Sequence, residues 1–220
     1  MKIKVGYFID TNLDRGGAPI STKVLAEGIA KKVEYECVLV KPYNKNKEEL
    51  DNVKLTYIND FEDEFPFIVL HPIKWISLCV KVYNNIKKEK YNIIHANMPF
   101  SGMAIGLLKK IKLIKNNICL IYTDREHVAD LKWYHRIRYN FFIAKEFDKV
   151  ITISQKSKKY WDEIRKNKNT DTIYNTATET YEELIINNSK SKRLNILFVG
   201  RMAKDKNWEL AIKIIKKLDN

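Results

Sequence analysis

Seven short apolar runs, separated by segments of helical periodicity, constrain this chain more than any other feature. The runs fall at residues 3–9, 33–40, 53–58, 92–95, 118–123, 149–154 and 172–174, and most are continuous stretches of Val, Ile, Leu and Tyr. Continuous rather than alternating apolarity means burial on both faces of a sheet. Between several of them, residues 19–32, 73–88, 99–113, 128–146 and 154–166 repeat apolar positions at helical spacing, as in Ile76, Cys79, Tyr83 and Ile86. Strand and helix in alternation predict an α/β fold, a doubly wound parallel sheet of Rossmann-like type. In that architecture ligands bind beyond the carboxyl ends of the strands.

The first strand-to-helix passage carries the sharpest local signal. In residues 4–25, KVGYFIDTNLDRGGAPISTKVL, an apolar run breaks at Asp10 and Asn12, reaches Gly16-Gly17, and enters a helical pattern opened by Pro19. Glycines let backbone amides approach a ligand, and a helix N-terminus offers unpaired N–H groups at a positive dipole end. Together they suit a phosphate or a sugar oxygen. An ordinary βα turn looks the same, and this stretch by itself does not separate the two.

Other strand ends carry polar groups. His95-Ala96-Asn97 follows the fourth run, Thr123-Asp124-Arg125-Glu126-His127 the fifth, Ser154 closes the sixth and Asn175 follows the seventh. Ser154 alone reads equally as a plain helix cap and Asn175 as a plain turn residue. In a parallel sheet, however, all of these positions collect on one rim.

Composition narrows the setting. With 220 residues, 45% of them hydrophobic, the chain can bury a sizeable core. No stretch approaches the roughly 18 consecutive apolar residues of a membrane span. The N-terminus lacks the apolar region and cleavage site of a signal peptide, so a cytoplasmic location is expected. Cys37, Cys79 and Cys119 lie in apolar runs without paired ligand spacing, and the four histidines are scattered. Reduced core cysteines and no structural metal site are therefore expected.

The formal charge of +13 is spread as lysine along the whole chain, without a compact Arg-aromatic motif for nucleic acid. Two readings remain: a lysine-rich solvated surface, or attraction to an anionic membrane or polyanionic substrate. In residues 99–117, Met103, Leu107, Leu108, Ile111 and Ile114 accompany Lys109, Lys110, Lys112 and Lys115. That composition suits either an interfacial helix on anionic lipid or a helix packed on the sheet with its lysines in solvent.

The pattern changes near residue 178. Residues 178–193 hold a short amphipathic piece and an Asn/Ser/Lys cluster, which reads as a linker between a first domain at 1–177 and a second at 194–220. Residues 194–220 repeat the opening theme with a buried strand at 194–199, Gly200, a basic loop, and a helix with Ala211, Ile214, Ile215 and Leu218 on one face. One strand and one helix cannot bury both faces of a sheet, so an incomplete second α/β domain is expected, from a fragment or from a half that needs a partner.

Five pieces together resemble a known family. Gly16-Gly17 after the first strand, the His127 loop after the fifth, VITISQKSKKY at 150–160, TIYNTAT at 172–178 and LFVGRMAKDKNWELAI at 197–212 are similar to the N-terminal domain, and the first βα unit of the C-terminal domain, of GT-B glycosyltransferases of the large retaining family 4. The resemblance spans essentially the whole chain.

The resemblance implies transfer of a sugar from a nucleotide-diphosphate sugar to a glycan or lipid-linked acceptor in surface polysaccharide or glycoconjugate synthesis. It implies no cofactor beyond the donor substrate. The glycines Gly16 and Gly17 would contact donor phosphate or the transferred sugar, and His127 would lie against the sugar near the reacting carbon. Asn175 would join the substrate-binding rim. Arg201 and Lys206 of the G-R-x4-K stretch would bind the donor diphosphate. Two fixed cations beside a diphosphate leaving group stabilise the charge that develops as its bond to the sugar breaks, without a metal ion.

Two departures from the family pattern stand out. Asn207 occupies the place of a glycine after the diphosphate lysine, and the E-x7-E motif and nucleotide-base pocket of the second domain do not occur in these residues. This polypeptide alone is therefore not expected to transfer sugar efficiently. The alternatives are a GT-B-like sugar-nucleotide epimerase, or a non-catalytic half that binds glycan or a partner subunit. The protein is expected in the cytoplasm, with peripheral contact at the inner face of the membrane as the alternative to a freely soluble state.

Overall fold

The computed structural model describes residues 3–10, 13, 17–40, 50–58, 72–125, 128–166, 169–175, 196–200, 202 and 206–218. The chain divides into two compact units, Met1–Thr180 and Tyr181–Asn220.

In the first unit the described strands are β1 (Lys4–Ile9), β2 (Glu34–Leu39), β3 (Lys54–Tyr57), β4 (Ile93–Asn97), β5 (Cys119–Asp124), β6 (Lys149–Thr152) and β7 (Thr170–Thr172). They form one sheet in the order β3-β2-β1-β4-β5-β6-β7, and every adjacent pair is parallel. The helices between them are α1 (Gly17–Ala30), α2 (Pro72–Glu89), α3 (Pro99–Lys110), α4 (Trp133–Tyr139) and α5 (Gln155–Arg165). The doubly wound parallel sheet expected from the alternation of runs is the observed fold.

The alternation of side chains along β1 divides the core in two. Val5, Tyr7 and Ile9 pack with Ala26 of α1 and with Tyr35, Cys37 and Leu39 of β2. Phe8 joins the larger cluster, with Val82 and Ile86 of α2, Met103 and Leu108 of α3, Tyr139 of α4 and Trp161 of α5. Each face of the sheet is thus covered by helices, as continuous apolar strands require.

Local chemistry fixes the helix ends. Pro72 opens α2 and Pro99 opens α3, at the position where a missing N–H costs nothing. Ser154 caps α5 by accepting a hydrogen bond from the Ser157 amide at 3.2 Å, the plain capping role that its sequence context allowed.

Four features depart from the sequence reading or decide between its alternatives. The segment expected as one helix over 128–146 is a 3-10 turn at Val128–Asp130, then α4, then a π-helical turn at Asn140–Ala144. The turn widens where α3 presses close: a Cβ added to Gly106 would fall 1.8 Å from the Phe142 carbonyl oxygen. Only glycine lets the two backbones approach that far.

Second, α3 packs on the sheet, one of the two arrangements its composition allowed. Met103, Leu108 and Ile114 are buried in the core, which leaves Ile111 as the exposed residue of that apolar set. Third, Cys119 is exposed at the start of β5, whereas Cys37 and Cys79 are buried; none of the three forms a disulfide. Fourth, the last strand ends at Thr172, and Ile173 and Tyr174 beyond it are exposed.

In the second unit, α6 (Trp208–Leu218) carries Glu209 in its first turn and Lys216 and Lys217 in its last, charges that suit the helix dipole. Residues 196–199, expected as a buried strand, form no ladder among the described residues, and Leu197 is 85% exposed. A strand needs neighbours for its backbone groups and both its faces, and these residues have none described. The expected linker at 178–193 lies outside the described residues.

Candidate functional site

The chain runs outward from β1 to β2 and β3, then returns to place β4 on the other side of β1. Strand order reverses there, and the crevice at the carboxyl ends of the two strands is where open α/β sheets hold ligands. Asp10, directly after β1, is buried, and its two carboxylate oxygens accept the Phe100 and Ser101 amides at 2.7 Å each. A carboxylate from β1 thereby caps α3, satisfying two of the donors that every helix start leaves unpaired. Met98, between β4 and α3, sits at φ 82°, a strained conformation for a residue with a side chain.

Arg125, one residue past β5, ties this rim together. Its Nε donates to Asn97 Oδ1 at the end of β4 at 3.0 Å. Its Nη1 donates to the Ser21 hydroxyl of α1 and, at 2.9 Å, to Asn175 Oδ1 beyond β7. Asn97 in turn donates from Nδ2 to Thr22 Oγ1 at 3.0 Å, and Thr22 donates to the Ala18 carbonyl at 2.8 Å. Among the described residues the hydrogen-bond partners of Arg125 are all neutral oxygens.

The charge of Arg125 is felt below the rim. His95 is buried in β4, its Nε2 is 2.6 Å from Thr123 Oγ1, and its ring meets Tyr7 edge-on with centroids 4.6 Å apart. Burial, reinforced by the positive charge of Arg125, pushes the imidazole down to about 3. His95 is therefore neutral at physiological pH, and its work is to hold Thr123. Burial raises the Tyr7 phenol, with Arg125 pulling the other way.

The expected site residues fall in three groups. Gly17 is the first residue of α1 and is exposed, and a Cβ placed there meets nothing within 4 Å. Packing within the described residues therefore does not demand a glycine at that position. Asn175 joins the rim through Arg125. Lys206 is in the second unit, where its Cβ lies 3.9 Å from a Cβ built on Gly200. Gly16, His127 and Arg201 lie outside the described residues.

The sequence reading missed Arg125 as the organising side chain. In sequence it is one of five polar residues after the fifth run, and its place one residue beyond a central strand is the available signal. The arrangement can receive an anionic group: a fixed guanidinium stands beside the amino end of α1, and both favour negative charge. The surrounding hydroxyl and amide groups of Ser21, Asn97 and Asn175 match the donors and acceptors of a sugar.

The family model described as Glycosyltransferase Family 4 matches residues 15–177. An uncharacterized 41.2 kDa protein in the cps region of Klebsiella pneumoniae is 28% identical over 158 residues, 65% of this chain and 44% of that protein. The chain thus spans less than half the length of that relative.

Among solved structures, sucrose-phosphate synthase from Thermosynechococcus elongatus superposes with a TM-score of 0.60 at 14% identity, over 79% of this chain and 48% of that one. The lipopolysaccharide outer core galactosyltransferase WaaB in its apo form gives 0.57 at 15% identity, over 80% and 46%. UDP-N-acetylglucosamine 2-epimerase from Rickettsia bellii gives 0.54 at 14% identity, over 78% and 44%. These likenesses show the fold, that of a GT-B domain, which the epimerase shares with the transferases.

Proposed function

The chain belongs to glycosyltransferase family 4, and we propose that it is the acceptor-side part of a retaining, metal-independent transferase that uses a nucleotide-diphosphate sugar. The observation that carries the reading is Arg125, a cation fixed at the reversal of strand order beside the amino end of α1 and bonded to Asn97, Ser21 and Asn175. A rim that combines fixed positive charge with amides and hydroxyls suits a substrate that is both anionic and a sugar.

In this reading the bond from the anomeric carbon to the diphosphate oxygen breaks, and an acceptor hydroxyl bonds to that carbon on the same face as it loses its proton. Gly16 and Gly17 close over the sugar or its phosphate, and His127 lies against the sugar near the reacting carbon. Asn175 helps orient it. Arg201 and Lys206 take the charge that gathers on the leaving diphosphate. The acceptor is a glycan or a lipid-linked glycan in surface polysaccharide or glycoconjugate assembly, a setting supported by the relative named for a cps region. The protein works in the cytoplasm, peripherally at the inner face of the membrane; no described helix is long and apolar enough to cross one.

The test is turnover of a panel of nucleotide sugars by this chain reconstituted with a donor-side domain that carries the E-x7-E motif, with product configuration read by NMR. Release of nucleoside diphosphate that collapses in the Arg201→Ala, Lys206→Ala double variant is expected, with retained anomeric configuration. Normal turnover by that variant would overturn the diphosphate role, and an inverted product would overturn the retaining mechanism.

A further inference from the structure

We propose that the outer face of α4 and its π-helical extension is a docking surface for anionic lipid. Trp133, Ile137 and Phe141 follow one another at intervals of four residues and are 67%, 53% and 51% exposed, with Tyr134 exposed beside them. Large apolar side chains that recur on one helical face and stay open to solvent are what an interfacial helix presents to a bilayer. Trp and Tyr are the residues that favour the headgroup level, where a ring can be half buried and its polar edge wet.

Charge identifies the occupant. From Lys132 to Lys145 the sequence holds Lys132, Arg136, Arg138 and Lys145 and no Asp or Glu. A second basic stretch lies alongside: Lys110, at the end of α3, places its Nζ 3.7 Å from the centre of the Phe141 ring and donates to the Phe141 carbonyl at 3.3 Å. Lys110 also pairs with Glu146 at 3.8 Å. Beyond Lys110 come Ile111 and Leu113, both exposed, with Lys112 and Lys115 and again no acid up to Asp124. An aromatic stripe bordered on two elements by cations complements a surface that is apolar within and negative at its edge.

Two other exposed apolar sets are weaker. Ile73, Ile76 and Val80 of α2 have no aromatic member, and the residues that lead into α2 are outside the described set. Ile20, Val24 and Leu25 of α1 are exposed but likewise have no aromatic member, and they border the candidate site. The lipid face deepens the peripheral-membrane part of the reading above, while being independent of the transfer chemistry, so failure of one leaves the other standing.

The experiment uses the 220-residue chain with vesicles of phosphatidylcholine alone and of phosphatidylcholine with about one-third phosphatidylglycerol. Co-sedimentation with the anionic vesicles at low salt is expected, at least tenfold weaker with phosphatidylcholine alone and falling as salt rises. Trp133→Ser with Phe141→Ser, and separately Arg136→Ser with Arg138→Ser, are expected to reduce binding at least fivefold, whereas Ile76→Ser on α2 leaves it unchanged. Lipids brominated in their acyl chains are expected to quench tryptophan fluorescence in the wild type and not in Trp133→Phe, which separates insertion from adhesion of a basic protein to any polyanion.

Absence of sedimentation at low salt would overturn the proposal. So would equal loss from Ile76→Ser, or quenching that survives Trp133→Phe. Light scattering on the same variants addresses the other occupant: a dimer that the Trp133/Phe141 variant dissociates, with vesicle binding intact, would make this face a contact between copies and overturn the lipid assignment.

Discussion

Arg125 donates a hydrogen bond from Nη1 to the side-chain oxygen of Asn175, 2.9 Å away and 50 residues on in the sequence. The contact links the loop after a central strand to the loop after the edge strand, across the sheet's carboxyl rim. Replacing Arg125 by Ala removes it together with the bonds to Asn97 and Ser21. A loss of about 1.5–3 kcal/mol is expected, the range for a charge-assisted bond, with the released groups turning to water. Urea denaturation measures it. Arg125→Lys keeps the charge without the fork and should restore little of the stability.

The same pair of variants reports on His95. The guanidinium is one of two causes that hold the imidazole down, so Arg125→Ala should raise the His95 pKa from about 3 while Arg125→Lys leaves it low. Imidazole carbon shifts followed by NMR against pH separate these outcomes.

His95 also sets an acid limit on the fold. Its folded-state value lies below the ordinary 6.5, so the unfolded chain takes up a proton that the native protein refuses. The stability it contributes is fully present above pH 6.5 and is lost as pH falls toward 3, with a slope of at most about 1.4 kcal/mol per pH unit. His95→Gln cannot take that proton, and its stability measured by urea midpoint from about pH 7 to about pH 4 should fall less steeply than that of the wild type.

Asp10 should be costly to lose although no substrate need touch it. Asp10→Ala leaves the Phe100 and Ser101 amides without their acceptor at a buried helix start, for which about 1–3 kcal/mol is expected. Asp10→Asn keeps one acceptor but turns an N–H₂ toward the second amide, and should recover less than half of the loss in the same denaturation measurement.

Two glycines should answer oppositely to alanine. Gly106→Ala drives a methyl into the Phe142 carbonyl, so α3 and the π-helical turn must separate, at about 1–3 kcal/mol. Gly17→Ala meets open space and should leave the thermal midpoint unchanged or slightly higher. If the loop closes on the donor as proposed, the reconstituted transferase nevertheless loses turnover with Gly17→Ala.

The sheet was legible because both faces are buried, which turns a strand into an unbroken apolar run; β1, β2 and β5 stand within a residue or two of where the runs fall. The edge strand misled for the same reason. At β7 the paired residues are Thr170, Asp171 and Thr172, polar because one side faces solvent, while the apolar Ile173, whose amide still donates to the Thr152 carbonyl, and Tyr174 are exposed. The break after Tyr139 had no glycine or proline to announce it, since its cause sits in another helix, at Gly106. The site was legible as a rim but not as a network. Sequence shows that Asn97, Arg125 and Asn175 each follow a strand, whereas the bonding of all three into one cluster depends on the order of strands in space.

The place of β1 also governs how the chain must be made. It is made well before β4, its second neighbour, and Lys4 waits for Asn92, 88 residues later, to complete its hydrogen bonding. At ordinary synthesis rates of about 5–20 residues per second that interval is roughly 4–18 s. Throughout it, one edge of a strand as apolar as Val5, Tyr7, Phe8 and Ile9 is open to any passing strand. An interior strand of the finished sheet is thus the exposed edge of the nascent one, and holding chaperones should raise the yield of this protein more than slower unfolding of its native state would.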